Sequence, residues 1–589
     1  MSTAGTLQMP DYFMIIGYFV LMLVIGLYFY RAMRDVKEYF SGGNSIPWWM
    51  SGISFYMSSF SVAAFIFYPS LCYRYGFVGI TLLWVAIPAT LFGVLFLAVK
   101  WRRARISSPV EYLEQRYSPL LRQIFAWQGV PVKVIDDGIK LFAIGTFMSV
   151  SLNMDITTSM VAGGVIMLIY TFMGGLWAVN VTDFIQFIIL TAAIIILLPL
   201  SFYHAGGWNA VSENMPEGFL KFTNAEYGWG YVAFLIVMYS LSWSSNNWAL
   251  IQRYYCVPKE KDAIKVGVLV IVLYLFGPPL MFMPAIAATQ IFPEQLADAG
   301  TVYPMLCKTL LPAGMLGLVV AAMFAATMST LSGDYNVCAS VLTHDIYQRL
   351  FRPNASEKEL VNVGRIATLL VGVIALGTAL LMARGKGEDL FRIMVTLFGV
   401  ATAPVAIPMI MGLLSRRASA RGALTGFLAG LTVGLVLFAL SRYSKPLQWG
   451  EAAAWLPESK ELMVLGYKAK LEMVLFLASG FVTLLVMLAD RWLISMSPVE
   501  KQRIDNFYHR LSIPIGEMPG EEDIETRSAG VSPFGIVGIS LFFTGLLMIC
   551  VLPWAGLLMT ALLNGTIAVI LLAAGAILAW PKKKNRSKA

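Results

Sequence analysis

The chain has 589 residues, 58% of them hydrophobic and 13% charged, with a formal net charge of +9 and a mean hydropathy of +0.71. A soluble domain carries about 25% charged residues, so a soluble protein of this length could not cover its surface, and the class is a polytopic membrane protein. The basic residues sit beside apolar runs, which reads as basic cytoplasmic loops rather than a nucleic-acid footprint. In chain order, about fifteen segments are long and apolar enough to span, at roughly 20 residues per crossing. They are roughly 11–30, 47–73, 77–99, 122–151, 156–178, 183–203, 228–252, 265–291, 309–343, 363–383, 391–415, 420–441, 471–490, 533–553 and 557–580. The opening "MSTAGTLQMPDYF" has no basic n-region or cleavage site, so the first run is expected to be a retained span. "CVLPWAG" breaks the last apolar run into a hairpin.

Loop charges orient the spans. With the N-terminus outside, "RAMRDVK", "KWRRAR", "QRYYCVPKEKDAIK", "HDIYQRLFRPNASEKE", "SRRASAR" and the tail "PKKKNRSKA" all fall inside. The polar stretch at about 494–532 reads as a cytoplasmic linker without a catalytic signature. The five cysteines are scattered singly, the three histidines lie far apart, and HExxH, Walker-A and GxSxG patterns are missing. An intramembrane enzyme has no candidate catalytic set.

The informative residues are polar ones at membrane depth, where lipid cannot satisfy them. In the second span Ser58, Ser59 and Ser61 lie mid-way, ahead of Pro69. They either bond back within the helix or mark an unwound segment facing a cavity. In the fourth span Lys133–Asp137 and Asp136–Lys140 are i,i+4 pairs. They either neutralise one another or serve substrate or proton recognition. Asp183, after Gly174 and Gly175, opens the sixth span, where the helix dipole favours it. The seventh span is interrupted by "SLSWSSNNW", with Trp243, Ser244, Asn246 and Asn247. Adjacent amides at this depth suit a binding pocket, with helix–helix polar contact as the alternative. The ninth span puts Ser329 and Ser332 on one face, and Thr330 and Asp334 on another. These hard oxygens suit an alkali cation.

Taken together, "YFSGGNSIPWWMSGISFYMSS", "YRYG", "SPVEYLEQRY", "YTFMGGLWAVNVTDFIQ", "NWALIQRYYCVPKEKDA", "AAMFAATMSTLSGDYNVCASVLTHDIY" and "NVGRIA" resemble the sodium:solute symporter family from about Tyr12 to Asp490. The resemblance implies an all-α membrane protein whose core is two inverted five-helix repeats (LeuT-like), with solute bound between the broken helices of spans 2 and 7. The expected organisation is an extra helix at 1–33, a first repeat at 34–225, a second at 226–418, peripheral spans at 419–493, a linker at 494–532 and a C-terminal hairpin at 533–589.

Carried over by position, the resemblance implies a main sodium site made by the carbonyls of Met57, Phe60 and Ala326 with the hydroxyls of Ser329 and Thr330. A second sodium would use Asp183, Ser329 and Ser332; one hydroxyl of that set falls on Gly333, with the adjacent Asp334 as the candidate to replace it. Candidate solute contacts are Ser58, Ser59, Ser61, Asp137, Lys140, Trp243, Ser244, Asn246 and Asn247. Ala63 and Ala64 stand where the sugar-carrying members are polar. The implied activity is sodium-coupled import of a small polar solute across the cell membrane, with a sugar or sugar acid favoured and no obligate protein partner. A monocarboxylate, amino acid or vitamin is the alternative solute. Proton coupling, or a solute sensor on the same scaffold, is the alternative mechanism.

Overall fold

The computed structural model describes residues 8–32, 40–59, 62–152, 154–292, 296, 299–383, 388–443, 461–464, 467–493, 495–518, 521, 533–554 and 558–579. Among them, ten helices are long and apolar enough to cross a membrane. Two more apolar stretches, Ile156–Ile169 and Gly399–Leu414, are shorter. The other segments read as spans from the sequence are two interrupted helices and one helix carrying buried charges.

The first helix, α1 (Met9–Ala32), packs on α9 (Ile156–His204) and α15 (Met315–Ser340). Its Asp11 is buried, and Oδ1 accepts from the amides of Gly314 (2.7 Å) and Gly317 (2.8 Å) at the start of α15. Those amides have no acceptor within their own helix, and a carboxylate is favoured at the positive end of the helix dipole. The approach needs glycine: a Cβ on Gly317 would lie 2.5 Å from the Asp11 Cα.

The second span is broken into α2 (Trp48–Ser58) and α3 (Val62–Tyr75). The chain continues through α4 (Val78–Trp84), α5 (Ala86–Phe96) and α6 (Ala98–Arg103), then α7 (Glu111–Arg116). The charged fourth span is α8 (Pro119–Leu152). The fifth and sixth expected spans form one helical run, α9, with Gly174 and Gly175 inside it.

After the short α10 (Gly207–Glu213), the seventh span is interrupted between α11 (Trp229–Leu241) and α12 (Trp248–Tyr255) by a wide π turn, Ser242–Asn246. Then come α13 (Glu260–Ile291), α14 (Val302–Leu310), α15, α16 (Glu357–Ala383), α17 (Glu388–Leu414) and α18 (Ala420–Tyr443). The expectation of an all-helical chain needs one correction. The strands β1 (Glu461–Val464) and β2 (Tyr467–Lys470) pair antiparallel, with Glu461 opposite Lys470. This hairpin lies in a polar stretch too short to span, where the period-3.6 signal is silent.

Beyond α19 (Leu471–Leu493), the expected linker contains α20 (Pro498–Ser512), capped by Ser497, whose hydroxyl accepts from the Glu500 amide. The chain ends in α21 (Pro533–Val551) and α22 (Leu558–Ala579), packed against each other. Large apolar side chains face outward, with Ile16, Phe276, Leu381, Phe481 and Ile577 all exposed. That surface suits lipid rather than water.

Candidate functional site

Both helix interruptions fall at the expected serines and asparagines. α2 stops at Ser58, and Ser59 takes a turn, its amide still bonded to Phe55 O (3.1 Å). The last carbonyls of a helix have no amide four residues on, so the end of α2 presents peptide oxygens, Met57 among them. Phe60 and Ser61 lie outside the described residues. In the seventh span the helix leaves its path at Asn247 (ψ 87°), whose side chain caps α12 by accepting from the Leu250 amide.

α15 brings its hydroxyls to the end of α2. Ser58 Oγ and Ser329 Oγ are 3.5 Å apart and both buried. One turn away, the Thr330 hydroxyl donates to Ala326 O at 3.2 Å, and Ser332 donates to Ser329 O at 3.1 Å. Ala326, Ser329 and Thr330 therefore form one oxygen-bearing patch beside the α2 terminus.

Asp183, on α9, is fully buried beneath this patch. It accepts a hydrogen bond from the Ser54 hydroxyl, and the Arg253 guanidinium is 3.8 Å away. Arg253 also donates from Nε to Ser54 Oγ (2.8 Å), from Nη2 to Ser58 Oγ (3.1 Å) and from Nη1 to Gln252 Oε1 (2.9 Å). Its sequence position had grouped it with the cytoplasmic loop charges; the structure buries it completely. The signal available was its place within two turns of the amide-rich interruption, on the short helix that follows it.

Asp334 turns elsewhere. Its carboxylate meets Lys140 Nζ at 2.6 Å and Lys133 Nζ at 3.1 Å on α8. Lys140 also reaches Asp136 (2.8 Å) and Asp137 (3.1 Å). Of the two i,i+4 pairs expected on α8, Asp136–Lys140 forms, while Asp137 takes Lys140 at i,i+3. Three carboxylates thus surround one ammonium, with Asp137 and Asp334 almost fully buried. Asp137 and Lys140 belong to this ionic knot between α8 and α15.

An aromatic cluster lies at the two interruptions. Trp243 contacts Phe55 of α2, Tyr239 of α11 and Tyr274 of α13, with ring centroids 5.4–6.0 Å apart. The Ser59 hydroxyl is 2.5 Å from the Tyr274 hydroxyl, and those of Tyr68 and Tyr239 are 3.2 Å apart. Asn246 Nδ2 donates to Thr402 Oγ1 at 3.4 Å, whereas the Ser244 carbonyl accepts from the Trp101 indole at 3.0 Å. Ser59, Trp243 and Asn246 thus lie among aromatic rings and hydroxyls, a surface able to hold a polar organic molecule by stacking and hydrogen bonds. The tyrosines went unnoticed in the sequence because Tyr reads as ordinary apolar filler in a span.

The chain is similar to a sodium/sialic acid symporter of Proteus mirabilis, 24% identical with 74% of this chain and 90% of the relative covered. A sodium/sialic acid symporter of Aliivibrio fischeri is 26% identical, with 71% and 85% covered. Human sodium/myo-inositol cotransporter 2 is 29% identical, with 74% and 70% covered. Among solved structures, the substrate-bound outward-open state of a Na+-coupled sialic acid symporter superposes with a TM-score of 0.70 at 20% identity, over 83% of this chain and 98% of the other; this likeness concerns the fold. Residues 39–430 match the model of the sodium:solute symporter family, well over half of the chain. The protein is a multi-pass membrane transporter that belongs to the sodium:solute symporter family.

Proposed function

We propose that the protein imports a small polar organic solute, a sugar or sugar acid, together with sodium by alternating access. The architecture proposed with it is fifteen spans, with the N-terminus outside and the C-terminus cytoplasmic, which requires the helical run Ile156–His204 to reverse near Gly174 and Gly175. Two inverted repeats, 34–225 and 226–418, carry the interrupted helices. Sodium binds between the α2 terminus and α15, through the carbonyls of Met57, Phe60 and Ala326 and the hydroxyls of Ser329 and Thr330. The single observation behind this reading is the Ser58–Ser329 approach, which brings the free end of a broken helix against the hydroxyl face of an unbroken one.

Solute binds between the interruptions, against Trp243, Ser59 and Asn246. Relatives whose names assign them sialic acid and myo-inositol support a polyhydroxylated solute. Coupling requires that sodium bind one conformation more tightly than the other, since equal affinity shifts nothing. Each charge moved down 100 mV contributes about 2.3 kcal/mol beyond its concentration gradient.

Thermal-shift screening of the purified chain against sugars, sugar acids, amino acids and monocarboxylates tests this reading. A stabilising solute is expected that acts only when sodium is present; a hit indifferent to sodium would overturn it. Proton coupling is the second reading, favoured by the ionic knot, which holds Asp136, Asp137 and Asp334 against only Lys133 and Lys140. Counterflow with sodium, lithium or choline at fixed pH separates the two.

A further inference from the structure

Arg253 is a buried charge that sodium coupling leaves unexplained. It sits on α12, just after the second interruption, and is completely inaccessible. Its guanidinium joins four elements: its own helix, α2 through Ser54 and Ser58, α9 through Asp183, and α15 at Gly333. The last contact is the telling one. A Cβ built on Gly333 would lie 3.4 Å from Arg253 Nη2. The position that lacks a hydroxyl is one that faces the guanidinium.

A buried carboxylate needs a compensating positive charge. At Asp183 the chain supplies that charge itself. Ser54 donates to Asp183 while accepting from Arg253, so the hydroxyl relays between the two ions. Asp183 and Arg253 together are neutral, and a further cation beside them would add an unbalanced charge in a dry interior. Asp183 Oδ1 is the carboxylate oxygen left without a hydrogen-bond partner among the described residues. An ion stripped of its water needs a shell of several oxygens, and this region offers no side-chain oxygen at Gly333 and engages two, on Ser54 and Ser58, with Arg253.

We infer that Arg253 is a tethered cation standing in for a second sodium at Asp183, so that the chain binds a single sodium, at Ser329 and Thr330. This rests on the sodium-coupled reading above and extends it to ion stoichiometry. Arg253 is a positioning residue here, acting through Asp183 and the α2 serines.

Equilibrium binding of radioactive sodium to the purified full-length chain, without solute, tests the inference. The unmodified protein is expected to bind one sodium per chain, with a Hill coefficient near unity, and Asp183→Asn to keep that one. Arg253→Gln combined with Gly333→Ser is expected to gain a second, which adding Asp183→Asn removes. Arg253→Lys should remain at one. Two sodium ions on the unmodified chain, one of them lost in Asp183→Asn, would overturn the inference. So would a single ion in a well-folded Arg253→Gln/Gly333→Ser variant. If that double variant does not fold, the unmodified chain and Asp183→Asn decide by themselves. No sodium on the unmodified chain, or full binding after Ser329→Ala/Thr330→Ala, would instead bring down the sodium-coupled reading.

Discussion

Lys140 stands among three carboxylates in the middle of an apolar bundle, and its removal leaves charges that nothing else there can balance. Breaking a buried ion pair from one side costs about 3–5 kcal/mol, so Lys140→Met is expected to lower the melting temperature of the purified protein. Adding Asp334→Asn should recover part of that loss; additive destabilisation would argue against a shared knot. At the proposed sodium site, a bond to a charged group contributes about 1.5–3 kcal/mol. Ser329→Ala/Thr330→Ala should therefore raise the half-saturating sodium concentration for uptake by at least about tenfold. Residue-scale chemistry was only half legible in the sequence. The i,i+4 spacing on α8 announces Asp136–Lys140, but the Asp334 partner lies 194 residues away and no local pattern reports it. Arg253 was misread for a related reason: at the end of a span it looks like the first loop charge, and only packing reveals that it turns inward.

At the level of elements, the interruptions were the most readable feature. Serine and asparagine compete with the backbone for hydrogen bonds and weaken a helix, and both breaks occur where they cluster. The aromatic wall beside them was not readable, because it is assembled from α2, α3, α11, α13 and the π turn. Trp243→Ala should weaken solute binding by about tenfold, the scale of a lost aromatic contact with its buried area, measured by thermal shift at saturating sodium. Trp243→Phe should retain most of it.

On the face proposed to be cytoplasmic, α20 and the residues after it tie the loops together. Arg105 donates to Glu521 at 2.5 Å and to the carbonyls of Arg510, Ile513 and Pro514, while Arg103 pairs with Glu260 at the foot of α13. Burial pushes the Glu521 carboxyl up, but Arg105 and the Gly516 amide outweigh it and hold the group below the usual glutamate range. A depressed carboxyl stabilises the folded state above its ordinary pKa and loses that effect as pH falls through the lowered value. The contact should therefore persist at neutral pH and release only under acid. Amide exchange across 498–518 should be slow at pH 7 and faster in Glu521→Gln at the same pH.

Across the whole molecule, composition and hydropathy gave the class, and loop charge gave an orientation that experiment can check. In a Cys550→Ser background, a membrane-impermeant thiol reagent should label Glu213→Cys in intact cells. Asp505→Cys should be labelled only after permeabilisation; both side chains are exposed. The reverse pattern would invert the topology. Several spans were less visible to hydropathy than the rest because polar groups interrupt them: two are cut short by their breaks, and α8 carries two buried aspartates with two partly buried lysines.

The seating of α1 has a consequence for biogenesis. Asp11 is bonded to Gly314, 303 residues later in the chain, so α1 leaves the ribosome well before its carboxylate's partners are made. At about 5–20 residues per second, that wait is roughly 15–60 s. During it, Asp11 must rest at the bilayer surface or against the insertion machinery, and closure of the bundle around α1 is a late event in synthesis.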